Sequence, residues 1–137
     1  MSREPYWNPE LPISERVRDL VGRMTLAEKV GQMLQLNGKQ GIEQPVMEMH
    51  VGSLLHMSPD NMLAAHELTQ RTRLRIPLLI GEDCIHGHSF WEGATIFPTQ
   101  LGMAASWDPT LLERVARVTA VEAAATGIHW TFSPVLC

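Results

Sequence analysis

Four short apolar runs, at 33–36, 51–56, 77–80 and 128–136, are separated by segments whose apolar residues recur at helical spacing. This alternation is the tightest constraint in the sequence. Strands joined by helices of ten or more residues pair in parallel, and each crossover packs its helix back onto the sheet. The expected fold class is therefore α/β, with about four parallel strands alternating with helices. A chain of 137 residues with 45% apolar and 19% charged residues has the composition of one globular domain.

The helices are punctuated by recognisable caps. Ser14 opens a helix expected to run to about Arg23, with Val17, Leu20, Val21 and Met24 as its apolar stripe. Thr25-Leu26-Ala27-Glu28 has the form of a capping box, so a second short helix begins there and ends near Gly31. Ser58-Pro59 supplies an N-cap and a first-turn proline for a helix to about Arg73. Asp108-Pro109 opens the strongest helix, striped by Leu111, Leu112, Val115, Val118 and Ala125 and stopped at Gly127. Between the third strand and this helix lies a long glycine-bearing segment through Gly93, Pro98 and Gly102. Loops of that length are functional or contain short helices.

Four parallel strands pose a physical problem. A parallel barrel needs eight, an open parallel sheet needs helices on both faces, and a chain that stops after its fourth strand leaves an apolar edge unprotected. The sequence therefore reads as the first half of a TIM-like barrel, a fragment of something longer.

Charge and composition narrow the partners. Eleven Lys and Arg against 15 Asp and Glu give a net charge of −4, which is no footprint for nucleic acid. No run reaches the roughly 18 apolar residues of a membrane span. The N-terminus carries no apolar leader segment, so the chain as given reads as cytoplasmic, with a periplasmic or secreted location open if a signal was removed. Cys84 and Cys137 read as reduced thiols rather than a disulfide in that setting.

The chemistry concentrates after the third strand, in Gly81-Glu82-Asp83-Cys84-Ile85-His86-Gly87-His88-Ser89-Phe90-Trp91. In parallel sheets and barrels, ligand groups gather at the C-terminal ends of the strands. Two chemistries suit these residues. Asp83, His86 and His88 are possible ligands of a water-activating metal, for which a further ligand would have to come from another strand. Alternatively, the Asp83 carboxylate accepts hydrogen bonds from sugar hydroxyls, and Trp91 or Phe90 offers a face to a sugar ring. Set against both is a plainer role, in which His86 and His88 hold the loop through backbone groups and Trp91 packs in the core. Trp107, Trp130, Phe132 and His129 read as packing residues.

A resemblance decides among these. The 81–88 segment, then Gly93-Ala94-Thr95-Ile96-Phe97-Pro98, Ala105-Ser106-Trp107-Asp108-Pro109 and 127–136, resemble in order and spacing the N-terminal domain of glycoside hydrolase family 3. The segment 23–33 resembles the start of the same domain, so the likeness covers nearly the whole chain. It implies the first part of a (β/α)8 barrel, a second α/β sandwich domain absent from these 137 residues, and hydrolysis of β-linked glucosides or gluco-oligosaccharides with retention of configuration. It implies that Asp83 binds sugar hydroxyls and that the loop bearing His86 and His88 shapes the same pocket; Trp91, from the reading of the residues, is expected to bind sugar with them, and no metal or other cofactor is expected. Glu82 departs from the family pattern, where an apolar residue is expected. Retaining hydrolysis needs two carboxylates about 5 to 5.5 Å apart. The family's nucleophile and acid/base motifs do not occur here, so no catalytic residue is assigned among Glu43, Glu48, Glu92, Glu113 and Glu122. Two further readings stand beside this one: a non-catalytic carbohydrate-binding or self-assembling half-barrel completed by a partner copy, and a metal-dependent hydrolase.

Overall fold

The computed structural model describes residues 4–135. Cys137, and with it the question of a Cys84–Cys137 pairing, lies outside the described residues, as does the expected end of the last strand at Leu136. Among the described residues the elements run α1 Ile13–Arg23, α2 Leu26–Gln32, β1 Gln35–Asn37, α3 Glu43–Met47, β2 Ser53–Leu55, α4 Pro59–Arg71, β3 Leu79–Glu82, α5 Gln100–Ala104, α6 Pro109–Ala125 and β4 Trp130–Thr131. The strands form one parallel sheet in the order β1-β2-β3-β4. Sequence neighbours are thus neighbours in space, as in a barrel wall, and no described helix is long and apolar enough to cross a membrane.

Strand alternation divides the sheet into two faces. Leu54 and Ile80, paired in register, join Val46, Met62, Ala65 and Ala123 from α3, α4 and α6 in one buried cluster, so their face is the dry, helix-covered one. The opposite face carries Leu79 and Trp130, 43% and 42% exposed. Two short helices, α3 and α5, were not predicted as elements; each has five residues, too few for an apolar period to register. The expected helix ends shift by one or two residues, and β4 is shorter than its apolar run.

Two helices differ more informatively from expectation. Ser14 does not cap α1, which begins one residue earlier behind Pro12. Its stripe is not buried either, with Val17 and Val21 about half exposed. Polar ties hold it instead: Tyr6 N–H donates to Asp19 Oδ2 at 3.1 Å, Arg16 Nε donates to the Tyr6 carbonyl at 3.0 Å, and Arg73 donates to the Arg23 carbonyl at 2.9 Å. On α6 the Asp108 cap forms as expected, but the residues turned inward are Leu112, Val115, Thr119 and Ala123, while Leu111, Val118 and Ala125 face out.

The capping box at α2 is present and extended. Thr25 Oγ1 accepts from Glu28 N–H, Glu28 Oε2 accepts from Thr25 N–H at 2.7 Å, and Arg73 Nε reaches Glu28 Oε1 at 3.1 Å. Arg73 thereby ties the segment after α4 to the start of α2, across 45 residues. The guanidinium bonds hold the Glu28 carboxyl down at about 2 against a burial effect in the opposite direction. A few residues on, the backbone closes so tightly that Gly31 has no room for a side chain: a Cβ there would sit 2.1 Å from the Met49 carbonyl oxygen.

Both features give measurable outcomes. A carboxylate whose pKa is lowered on folding contributes stability that is complete above its ordinary value of 4.5 and is lost as pH falls towards 2. Allowing for the solvent exposure of Arg73, Glu28→Gln should cost about 1–2 kcal/mol at pH 7 and nothing near pH 2, read from denaturant unfolding at a series of pH values. Gly31→Ala should cost about 2 kcal/mol or more through overpacking against backbone. Gly22→Ala, in α1 with nothing within 4 Å of the new methyl, should raise stability by about 0.5–1 kcal/mol in the same unfolding assay.

Candidate functional site

The register of β3 on β2 pairs Leu55 with Gly81, so the next residues along each strand, His56 and Glu82, meet at the sheet's C-terminal edge. They bond: His56 Nδ1 lies 2.6 Å from Glu82 Oε1. Glu82 falls on the same face as Ile80 and is 2% exposed. A carboxylate so far from water needs donors, and Oε1 receives a second one from the Asp83 backbone N–H at 2.9 Å. Asp83, the first residue past the strand, turns its side chain to the more exposed side, 43% accessible, with Oδ2 3.8 Å from His56 Nε2. His56, Glu82 and Asp83 bring one ligating atom each within 4.8 Å of one another.

The two histidines of the following loop are engaged elsewhere. His86 Nδ1 donates to the Phe97 carbonyl at 3.0 Å, and Phe97 N–H returns a bond to the His86 carbonyl at 2.8 Å. Gly87 sits inside this exchange with φ +108°, where a Cβ would strike the Thr95 carbonyl oxygen at 2.1 Å. His88 is 3% exposed, with Nδ1 3.3 Å from Cys84 Sγ and Nε2 2.9 Å from Thr126 Oγ1. The Thr126 hydroxyl proton goes to the Ala123 carbonyl at 2.8 Å, so Thr126 accepts from His88 Nε2–H and the Nδ1 lone pair takes the Cys84 S–H. Burial pushes the His88 pKa down, favouring that neutral ring. Burial, reinforced by the nearby charges of Glu82 and Asp83, pushes the Cys84 thiol up to about 11, which keeps its proton in place.

These bonds fix where the expected site residues lie. Asp83 sits at the strand end beside His56. The loop histidines do not join it in a metal-type cluster; His88 has both ring nitrogens occupied, and His86 retains a free Nε2 edge. His86 lines a cavity of about 430 Å³ with Cys84, Met103, Leu112 and Pro134. Trp91 is 6.2 Å from the His88 ring, nearly parallel to it, and lines a separate cavity of about 920 Å³ with α4 and the start of β3. The aromatic ring beside the strand-end group is Phe90, 5.4 Å from His56 and half exposed. Glu122 is taken up in holding the loop, accepting from Thr95 N–H at 2.9 Å and Thr95 Oγ1 at 2.8 Å.

His56 and the structural place of Glu82 escaped the sequence analysis. The available signal was the strand-end rule applied to β2 as well as to β3: with Leu55 opposite Gly81, the first residue past β2 and the last residue of β3 become neighbours.

Comparison with known proteins places this geometry. Residues 25–137 match the family described as the glycosyl hydrolase family 3 N terminal domain. A periplasmic β-glucosidase from Salmonella typhimurium is 32% identical over 127 residues, covering 88% of this chain and 16% of that protein. β-Glucosidase C from Emericella nidulans is 33% identical, covering 94% and 25% respectively. Among solved structures, a β-glucosidase involved in saponin metabolism from intestinal bacteria is 57% identical with a TM-score of 0.74, covering 89% of this chain and 16% of its own. A β-glucosidase from Listeria innocua in complex with gluconolactone is 34% identical with a TM-score of 0.77, covering 90% and 19%. The chain spans about a quarter or less of the length of these relatives. Four parallel strands in sequential order and a match over 25–137 agree: the chain belongs to glycosyl hydrolase family 3, within whose N-terminal domain these residues match.

Proposed function

We propose that this chain supplies one wall of the sugar pocket of a β-glucosidase that cleaves β-linked glucosides with retention of configuration, and that Asp83 accepts hydrogen bonds from the sugar's hydroxyls. The observation that carries this reading is the position of Asp83, accessible at the C-terminal end of a parallel strand and fixed through its own backbone amide to the buried Glu82. A carboxylate there has lone pairs to spare for hydroxyl donors. His86 and His88 shape the pocket by locking the loop that follows, and Trp91 backs the His88 ring. The pair of carboxylates for bond cleavage lies outside these residues, in the rest of the barrel and in a second domain. Glu82 is not free to complete such a pair with Asp83, because it is buried and its Oε1 is engaged by His56 and the Asp83 amide.

The open face and edge of the sheet favour a second element of the reading. Among the described residues β4 pairs only with β3, and Leu79 and Trp130 stand exposed on the face away from the helices. In the isolated chain a second copy covers this surface.

Two outcomes check the proposal. In the full polypeptide that carries these residues, Asp83→Ala should lower kcat/KM for an aryl β-glucoside by about 100-fold, the loss of two hydrogen bonds to a charged group, with little change in Tm. An undiminished rate would contradict the role of Asp83. The 137-residue chain alone should show no turnover and should sediment as a dimer or larger; an active chain would refute the placement of the carboxylates, and a monomer would refute the self-association.

A further inference from the structure

We propose that His56 is a second sugar-contacting residue beside Asp83, and that the buried Glu82 is the positioning residue that sets the direction of its hydrogen bonds. This assignment rests on the sugar-pocket reading of Asp83 and extends it to two residues which that reading does not require.

The argument begins with the bond at the end of β2. Glu82 Oε1 already accepts the Asp83 amide, so it acts as an acceptor towards His56 as well, and the imidazole proton sits on Nδ1. In the neutral ring this leaves a lone pair on Nε2, directed to the side where Asp83 Oδ2 stands 3.8 Å away. Two acceptors at that separation do not bond each other; each is left seeking a donor. Adjacent hydroxyls on a pyranose ring supply two donors side by side, one for Nε2 and one for Oδ2.

Three further observations fit a contact residue better than a packing residue. The His56 side chain is 21% exposed beside the 43% of Asp83, so two of the three clustered groups reach solvent while the third, Glu82, is buried. The His56 backbone lies in the left-handed region, φ 58°, which few non-glycine residues adopt, and its ring is bonded to Glu82 in that position. Phe90, tilted 38° to the His56 ring and half exposed, adds an apolar surface of the kind that meets the C–H face of a sugar. A metal is the competing occupant of the same three groups, but the 2.6 Å His56–Glu82 bond commits one ligand atom of each to the other.

The test is a comparison of the full polypeptide and its variants on an aryl β-glucoside and on the corresponding monodeoxy glucosides. His56→Phe, which keeps a ring beside Phe90, should lower kcat/KM on the parent glucoside by about 10- to 100-fold. On the one deoxy sugar that lacks the contacted hydroxyl, the variant should come within about threefold of the unmodified protein. Glu82→Leu should reproduce that signature, and Glu82→Gln, which keeps an oxygen acceptor for Nδ1–H, should restore the rate to within about threefold. Chelation with EDTA should change nothing. A loss that is equal on every sugar, an unimpaired His56→Phe, or activity removed by EDTA and restored by a divalent cation would each overturn the assignment. Asp83→Ala separates the levels: if it is impaired while His56→Phe is not, this inference alone fails, whereas if it too is unimpaired the pocket reading falls first. Should Glu82→Leu fail to fold by circular dichroism, the His56→Phe and Glu82→Gln arms decide the question.

Discussion

A slip of one residue between β2 and β3 would separate His56 from Glu82 and turn every side chain of one strand to the wrong face. The register is therefore the constraint on which the candidate site depends. It is set from the dry side. Leu54 and Ile80 are 0% and 6% exposed, and in the slipped pairing Leu54 would lie opposite Leu79 or Gly81, opening the cluster shared with α3, α4 and α6. Hydrophobic burial on one face thus places polar groups at the strand ends, although it touches none of them. The neighbouring register of β1 on β2 sets Gln35 opposite Ser53, bonded at 2.9 Å.

The loop after β3 is held by a different kind of interaction, a chain of directed hydrogen bonds in which each member fixes the proton of the next. Thr126 gives its proton to Ala123, which makes it an acceptor for His88; His88 then has one lone pair left, which takes the Cys84 thiol. Burial alone would leave these polar groups costly, but each is satisfied, and the chain joins the end of β3 to the end of α6. Glu122 adds a second tie from the same helix to Thr95. The long segment between β3 and α6 is therefore anchored to α6 at two points, His88 and Thr95, which is how a loop of that length keeps a fixed shape.

Much of the fold was legible because its signals are local. The Thr25-Glu28 capping box, the Ser58 and Asp108 caps and the apolar runs each depend on neighbours in sequence, and the structure realises them. The burial of α1 was not legible, because its exposed valines show the period of a packed helix, whereas the contacts that hold it come from Tyr6, Asp19 and Arg73. The inward face of α6 was legible only in part: Leu112 and Val115 turn inward as expected, but the buried positions beyond them are the small Thr119 and Ala123, which a count of large apolar residues passes over in favour of Val118. At the site, Asp83 was visible from its place after an apolar run. His56 stands at the end of its own apolar run but is a single histidine with no charged neighbour to single it out, and only the pairing of two strands separated by α4 brings it to Glu82.

The two adjacent carboxylates show how a strand end can give one residue type two tasks. Alternation sends Glu82 to the helix-covered face, where it is 2% exposed and bound by donors, and leaves Asp83 on the wet side, accessible and with oxygens free. Neither sequence position is chemically special in itself. The difference is made by the boundary between dry and wet faces, which falls between them, so that the buried carboxylate can orient the groups around it while the exposed one meets a ligand. A residue pair that straddles such a boundary needs no extra structure to separate support from contact, and this is the physical reason an apolar residue at position 82 would leave the exposed aspartate in place but remove the hold on its amide and on His56.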